Sequence, residues 1–297
     1  MNLKEMQDVV IYEATEADVK SIIQSLERHL KNISPTSSNE PTGCYYRCIK
    51  ENGEVVAGVM AETFCPTALY VDILWVKDEC RGKGYATALM NDVENQAFEA
   101  GCKISTVSTY TFQARGLYEK LGYTVFGTIN NCPENGCDDF YLSKMLKHTT
   151  HSPNIEIHDA TNDDCRVIVY GIIDYNKSQI LFTQSPNNIR FNKCIKIDNE
   201  VVGGILSNSI CWKTYYLNGL WVEENHRNKG YGTMLINEAE KQARDFGCEV
   251  AILETINPAM QKLCEKLGYE VIGTLEDYPE GHTRYFMSKK FGFVVCK

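Results

Sequence analysis

Leu74–Leu89 reads Leu-Trp-Val-Lys-Asp-Glu-Cys-Arg-Gly-Lys-Gly-Tyr-Ala-Thr-Ala-Leu, the order of a buried strand, a glycine loop and a helix start. The same order recurs 146 residues later in Leu220–Leu235, Leu-Trp-Val-Glu-Glu-Asn-His-Arg-Asn-Lys-Gly-Tyr-Gly-Thr-Met-Leu. A loop freed by Gly84 or Gly230 can turn several N–H groups toward one point at a helix N-terminus, where the dipole favours an anion. The sequence therefore predicts two phosphate-holding loops.

Both loops resemble the pyrophosphate loop of the GNAT superfamily of N-acetyltransferases, which reads Arg/Gln-x-x-Gly-x-Gly/Ala. The matching residues are Arg81, Gly84 and Ala86 in the first copy and Arg227, Gly230 and Gly232 in the second. About thirty residues further on, each copy reads Glu-Lys-Leu-Gly-Tyr-x-Val-x-Gly-Thr, which also matches the family. The resemblance implies an α/β fold with two tandem GNAT domains, 1–150 and 151–297. Each would have a mixed, mostly antiparallel central sheet flanked by helices.

The resemblance also implies acetyl-CoA as the cofactor and CoA as a product. In the family, the backbone of the fourth strand pairs with the pantetheine amides and the glycine loop takes the pyrophosphate. The cofactor-binding residues implied are Trp75, Val76, Arg81, Gly82, Lys83, Gly84, Tyr85, Ala86 and Thr87 in the first copy, and Trp221, Val222, Arg227, Asn228, Lys229, Gly230, Tyr231, Gly232, Thr233 and Asn257 in the second.

Acetyl transfer to an amine needs a group that removes a proton from the amine, because an amine with a pKa of ~10.4 is almost wholly protonated at pH 7. The candidate bases differ between the copies. Asp72 on the fourth strand of the first copy corresponds to Asn218 in the second. Glu254 on the fifth strand of the second copy corresponds to Ser108 in the first. Either carboxylate can also be read as a solvated or substrate-orienting group.

The departing thiolate needs a proton donor, and many family members use a tyrosine four residues before the glycine of Lys-x-Gly-Phe/Tyr. The first copy has Tyr118 at that position, whereas the second has Cys264, a shorter side chain. The second copy in turn keeps Asn257 where the first has Thr111. Neither copy has the full set, so the acceptor sites are expected to have diverged.

The coarse pattern predicts the same elements in each copy. The first strand is expected at Val9–Glu13 and Ile155–Ile157, and the fourth at Ala68–Val76 and Tyr215–Val222. The helix after the first strand begins at Thr15 or its counterpart Thr161.

Composition limits the class of protein. The net charge of −9 disfavours a nucleic-acid partner and suits a cationic amine. No apolar run reaches the ~20 residues that cross a bilayer, and the first residues lack the apolar core of a secretory signal. Thirteen cysteines form an odd set without a compact framework, which favours a reducing compartment, and none sits in a complete zinc-like pattern. A cytoplasmic protein without a metal is expected.

Two other readings stay open. One is a tandem CoA-binding protein in which one or both domains have lost catalysis and act as an interaction or sensor module. The other concerns setting: the size and tandem layout resemble bacterial effectors of the VipF type, which enter host cells by a system that needs no signal peptide and would act on a host protein. The acceptor, a protein lysine, an N-terminus or a small-molecule amine, is not specified by the sequence.

Overall fold

The computed structural model describes residues 9–34, 42–149 and 155–292. Within these ranges the chain forms two mixed sheets of seven and eight strands. The first sheet runs in the order β6 (Thr124–Ile129), β7 (Asp139–Met145), β5 (Ile104–Tyr110), β4 (Ala68–Val76), β3 (Glu54–Cys65), β2 (Gly43–Glu51), β8 (His158–Asp159). The second runs β14 (Glu270–Leu275), β15 (Arg284–Lys290), β13 (Val250–Thr255), β12 (Thr214–Val222), β11 (Glu200–Ile210), β10 (Lys193–Ile197), β1 (Ile11–Glu13), with β9 (Asn188–Arg190) also on β11.

Only β4 with β5 and β12 with β13 pair in parallel in the described sheets, which confirms the mixed, mostly antiparallel architecture. The helices are α1 (Glu16–Ile33), α2 (Tyr85–Glu99), α3 (Arg115–Lys120), α4 (Asn162–Gln179), α5 (Tyr231–Phe246) and α6 (Pro258–Lys266). Buried residues of α2 and α3 form one core with the first sheet, and those of α5 and α6 form a second core with the other sheet. Over the described residues, no helix combines the length and apolarity that a membrane crossing requires.

The two repeats exchange their first strand and first helix. β1 pairs with β10, with Tyr12 opposite Cys194, whereas β8 pairs with β2, with His158 opposite Cys48. Helix α1 packs on β11 and β12 of the second repeat, and α4 packs on β3 and β4 of the first. The predicted division into 1–150 and 151–297 therefore follows the repeat in the sequence, while each sheet takes an edge strand and a covering helix from the other repeat.

Two glycines allow the exchanged helices to approach the sheets. A Cβ added to Gly58 would lie 2.1 Å from Cδ1 of Ile168 on α4, and one added to Gly204 would lie 2.2 Å from Cδ1 of Ile22 on α1. Both isoleucines are fully buried. Burying one such side chain stabilises the fold by roughly 1.5–3 kcal/mol, so each helix is held firmly on the other repeat's sheet.

Matching charge pairs cross between the repeats. They join Lys50 to Asp164 (2.9 Å), Lys196 to Asp18 (2.9 Å), Arg47 to Asp159, and Lys193 to Glu13. Asp18 and Asp164 also complete capping boxes with Thr15 and Thr161, which confirms both predicted helix starts. Each of these two carboxylates therefore caps the start of an exchanged helix and also binds that helix to a lysine of the opposite repeat.

One predicted strand is displaced. Ile155–Ile157 was expected to pair, but the ladder of the second repeat's first strand begins at His158. Ile155 and Ile157 instead pack their side chains against the first core. Their apolar side chains are therefore partly buried next to the sheet, although their backbone does not pair with a strand of it.

A third core joins the two sheets. It contains Phe126 and Tyr141 from the first repeat and Phe286 from the second, with the rings of Phe126 and Phe286 centred 4.8 Å apart. This apolar layer fixes one sheet against the other and closes the space between the repeats.

Candidate active site

A cleft opens where β4 and β5 separate. The two strands pair only from Ala68 with Ile104 to Val71 with Val107, although β4 continues to Val76. The register with β3 shifts at Asp72, which forms a bulge. Beyond the bulge, β4 pairs with β3 alone among the described strands, so its other edge offers free backbone groups to an extended ligand.

The glycine loop begins where β4 ends. Gly82 and Gly84 have φ of +78° and +85°, left-handed values that residues with a Cβ rarely adopt. Gly84 is the N-cap of α2, and this helix start has no side-chain cap. Tyr85, Ala86 and Thr87 of this first turn line the cleft, and the described residues supply no side-chain cap for their N–H groups, as a phosphate-binding helix start requires.

Strand, loop and α3 enclose a cavity of about 520 Å³. Most of the predicted residues of the first copy line it: Asp72, Trp75, Val76, Arg81, Gly82, Gly84, Tyr85, Ala86, Thr87 and Tyr118. Lys83 is the exception, because its Nζ lies 2.8 Å from Glu51 at the surface. The structure thus brings all the predicted cofactor residues of the first copy except Lys83, and both of its predicted catalytic residues, to one cavity, while their roles stay predictions.

Tyr118 has the properties of a proton donor. Its side chain is 5% exposed, and burial raises the pKa of its hydroxyl above the ordinary value. The hydroxyl therefore keeps its proton at neutral pH. A phenol that is protonated can act as a general acid, although the raised pKa makes Tyr118 a weaker acid than a free tyrosine.

Asp72 lines the cleft at the bulge of β4, next to a second carboxylate. Although the residue as a whole is exposed, the surrounding protein partly desolvates its carboxyl, and this desolvation, followed by the negative charge of Glu62, raises the pKa of Asp72. Glu62 accepts a hydrogen bond from the hydroxyl of Tyr46. Among the described residues Asp72 forms no salt bridge. This end of the cleft is therefore anionic, and a higher pKa brings Asp72 closer to what a base at neutral pH requires.

The second repeat has a corresponding cleft, because β12 pairs with β13 only from Thr214 to Leu217 although it continues to Val222. It also keeps the geometry of the loop. Gly230 is the N-cap of α5 with φ of +84°, and Asn228 takes the place of Gly82 with φ of +61°. Asparagine is among the few side chains that tolerate this conformation. The Nε of Arg227 donates to the carbonyl of Val222 at 3.0 Å, the counterpart of Arg81 with Val76 at 3.5 Å.

The acceptor side of the second repeat differs. Cys264 is fully buried, and burial raises the pKa of its thiol to about 12. Asn257 is the N-cap of α6, where its Oδ1 accepts from the N–H of Ala259 at 2.9 Å. Asn218 donates to Asn208 at 2.8 Å in the place of the carboxylates of Asp72 and Glu62.

Glu254 is engaged by its own repeat and lies near the other one. An Nη of Arg284 is 3.2 Å from its Oε2. The charges of Asp72 and Glu254 both contribute to the raised pKa of Tyr70, after the larger effect of burial. Glu254 therefore lies at the junction of the repeats, and its predicted role as a base stays a prediction.

Residues that sequence reasoning missed complete the first cavity. Ile172 and Tyr175 of α4 line it together with Gln113 of the turn before α3. The aromatic residue at position 175 is visible in the sequence, but only the helix exchange assigns it to the first cleft.

Comparison with known proteins identifies the family. The acetyltransferase (GNAT) family model matches residues 11–123 and 156–269. Blasticidin-S acetyltransferase of Streptomyces morookaense is 32% identical over 92 residues, 31% of this chain and 67% of that protein. Acetyltransferase Atu2258 of Agrobacterium fabrum is 33% identical over 95 residues, 32% of this chain and 68% of that protein. A crystal structure of a Bacillus cereus acetyltransferase matches 46% of this chain and 97% of its own length, with 28% identity and a TM-score of 0.43.

The family matches cover both repeats and most of the chain. The protein therefore belongs to the GNAT acetyltransferase family and is a tandem member of it.

Proposed function

We propose that this GNAT enzyme transfers an acetyl group from acetyl-CoA to a positively charged amine in the cleft of the first repeat. The observation that carries the proposal is the convergence of the β4 edge, the glycine loop, Tyr118 and Asp72 on one cavity of about 520 Å³. Acetyl-CoA would supply the activated thioester, with its pantetheine along β4 and its pyrophosphate at the start of α2.

The anionic end of the cleft supports a cationic acceptor. Asp72 and Glu62 would attract an ammonium group, and Asp72 would then remove a proton from it, which leaves a neutral, nucleophilic nitrogen. At pH 7 the protonated state of such an amine is a handicap of roughly 4–5 kcal/mol, which this base offsets in part. Tyr118 would give its proton to the sulfur that leaves, and the new bond would be an amide. The relative named blasticidin-S acetyltransferase supports a small-molecule amine.

We further propose that the second repeat holds a cofactor. Its loop keeps the left-handed Gly230 and an uncapped start of α5. A second candidate function applies to this repeat alone, namely binding of CoA without transfer. The buried thiol of Cys264 at the position of Tyr118 favours it, because this side chain is enclosed in the second core and is much shorter than the phenol.

The test is an assay of CoA formation by the full-length chain, followed by chromatography. Acetyl-CoA is offered with 1,4-diaminobutane, with n-butylamine, with a lysine peptide, or alone. We expect CoA formation above the rate of hydrolysis with one of the two cationic amines. CoA binding with no increase for either amine or for a lysine peptide would contradict catalysis and favour the binding-only alternative for both repeats.

The cytoplasmic location and the alternative of delivery into a host cell stay predictions from the sequence. The same holds for the choice between a small-molecule and a protein acceptor.

A further inference from the structure

The first cleft is lined by both repeats. Ile172 and Tyr175 belong to α4, which lies in the second repeat, yet they line the same cavity as Arg81 and Tyr118. This follows from the exchange, because α4 covers β3 and β4 instead of the sheet of its own repeat.

Tyr175 contacts two segments of the first active site. The guanidinium carbon of Arg81 lies 4.7 Å from the centre of the Tyr175 ring, and the Tyr175 hydroxyl donates to the carbonyl of Phe112 at 2.6 Å. Arg81 opens the glycine loop, and Phe112 lies in the turn that leads to α3 and Tyr118. One side chain thus links the phosphate side of the cleft to the helix that carries the predicted acid.

The neighbours of Tyr175 strengthen this link. Asn176 accepts from the Nε2 of Gln113 at 2.9 Å, and the Oε1 of Gln113 accepts from the N–H of Tyr110 at 2.9 Å. Gly171 lies so close to Trp75 that an added Cβ would be 2.3 Å from its ring. Helix α4 is therefore in direct contact with β4, the strand proposed to hold pantetheine.

We propose that the first active site is shared between the repeats, with Tyr175 as its positioning residue. The aromatic ring holds Arg81 and the glycine loop, which sets cofactor affinity. The hydroxyl holds the turn at Phe112, which sets the placement of Tyr118 and hence turnover. This inference rests on the proposed function only for the effect on turnover, because the effect on cofactor affinity does not require an acceptor.

The second cleft has the reciprocal arrangement with different chemistry. Leu26 of α1 lies 2.6 Å from where a Cβ on Gly219 would be. His29 takes the place of Tyr175, and burial, followed by the positive charge of Arg227, lowers the pKa of its imidazole. An imidazole beside Arg227 replaces the phenol above Arg81, so the two clefts also differ in the residue supplied by the opposite repeat.

The test uses the full-length chain with the second loop disabled by Gly230→Asp, so that only the first site reports. Tyr175→Ala, Tyr175→Phe and the matched control Tyr170→Ala are compared. Tyr170 is on the same helix and is 64% exposed. CoA affinity is measured by calorimetry, and kcat and KM for acetyl-CoA are measured with the best amine of the panel.

We expect Tyr175→Ala to weaken CoA binding between roughly threefold and thirtyfold, the range for a cation–π contact and its desolvated limit. Tyr175→Phe keeps the ring, so CoA affinity should stay within about twofold while kcat falls, because the hydrogen bond to Phe112 is lost. A general loss of folding would change both quantities together and lower the melting temperature.

Equal CoA affinity in Tyr175→Ala and Tyr170→Ala would overturn the shared site. Parallel changes of affinity and kcat in Tyr175→Phe would overturn the division of roles between ring and hydroxyl. If no amine is acetylated at all, the proposed function fails, while the CoA titrations still decide whether the site is shared.

Discussion

The two clefts are similar where the cofactor loop lies and different where an acceptor would enter. Gly84 and Gly230 have φ of +85° and +84°. Each is the N-cap residue of its helix and, as a glycine, makes no side-chain hydrogen bond to the helix start. At the other end, the first repeat has the carboxylates of Asp72 and Glu62. The corresponding residues of the second repeat are Asn218 and Asn208, whose amides are hydrogen-bonded to each other. Backbone geometry accepts few residue types at the loop, whereas the acceptor end depends on side-chain charge and is free to change.

The residues at the predicted proton-donor position also differ between the repeats. Both residues belong to the core of their repeat, but Tyr118 also lines the first cavity, and its side chain is longer than that of Cys264. The comparison suggests that the repeats have kept a common means of holding the cofactor and have separated in chemistry.

Gly84→Asp should abolish transfer, because the aspartate is strained at φ of +85° and puts a negative charge where a phosphate is proposed to bind. The matched change Gly230→Asp alters the second loop in the same way. Both are assayed on one amine, and bound CoA is counted by calorimetry. We expect two sites in the parent chain and near-total loss of transfer from Gly84→Asp alone. Equal loss from each change would mean that the two repeats hold equivalent catalytic sites.

Tyr118→Phe should slow transfer by about 10²–10⁴-fold, the usual contribution of a general acid, because it removes the proton and little packing. CoA affinity should stay near that of the parent chain. The control is Cys264→Ser, which changes the corresponding position and should leave transfer at the first cleft unaffected. Turnover of Tyr118→Phe within roughly threefold of the parent would assign Tyr118 a structural role.

Asp72→Asn should lower transfer at pH 7 by roughly tenfold or more, because it replaces the proposed base with the amide found in the second cleft. The pKa of Asp72 is raised, so the parent enzyme should lose activity as pH falls toward that pKa and Asp72 becomes protonated. The variant should lack this acidic limb of the pH profile of kcat/KM. The reverse change, Asn218→Asp, is the control. An unchanged profile in Asp72→Asn would leave Asp72 as an acceptor contact only.

Much of the fold is predictable because its signals are local. The limits of β4 agree with Ala68–Val76 as predicted, and both helix starts follow from Thr15 and Thr161 with their capping carboxylates. The glycine loop was found from Gly84 and Gly230, since a left-handed N-cap restricts the sequence strongly. These features need only neighbours along the chain, so one sequence specifies them.

The exchange could not be predicted, because the two repeats carry equivalent signals. Lys50 and Lys196 each form an ion pair with an aspartate at a helix start. Each repeat supplies one such lysine and one such aspartate, so the charges are complementary whether a helix packs on its own sheet or on the other. The contribution of Tyr175 to the first cleft was missed for the same reason. A repeat pattern specifies an element, but not the copy against which it packs.

The two repeats also differ at a buried position of β7, where the first repeat has Asp139 and the second has Tyr285. Asp139 is 3% exposed, and its Oδ1 has no hydrogen-bond partner among the described residues. Burial raises the pKa of this carboxyl to about 7, and a hydrogen bond with Tyr141 opposes that rise. The unfolded chain would ionise near the ordinary value of 3.8. Between these values the folded state keeps a proton that the unfolded state has lost, so stability falls as pH rises.

Asp139→Asn should therefore stabilise the protein at pH 8 and have little effect at pH 4. In the parent chain, this one group can reduce stability by at most about 1.4 kcal/mol per pH unit across the interval, and the effect is complete once pH exceeds the folded-state pKa. The measurement is the melting temperature from pH 4 to 8, with Asp174→Asn on the exposed surface of α4 as the control. We expect the difference between Asp139→Asn and the parent to grow with pH, while Asp174→Asn follows the parent throughout. A difference that is constant with pH would show that the asparagine acts through packing or a new hydrogen bond, and that Asp139 is already ionised in the folded protein at pH 4.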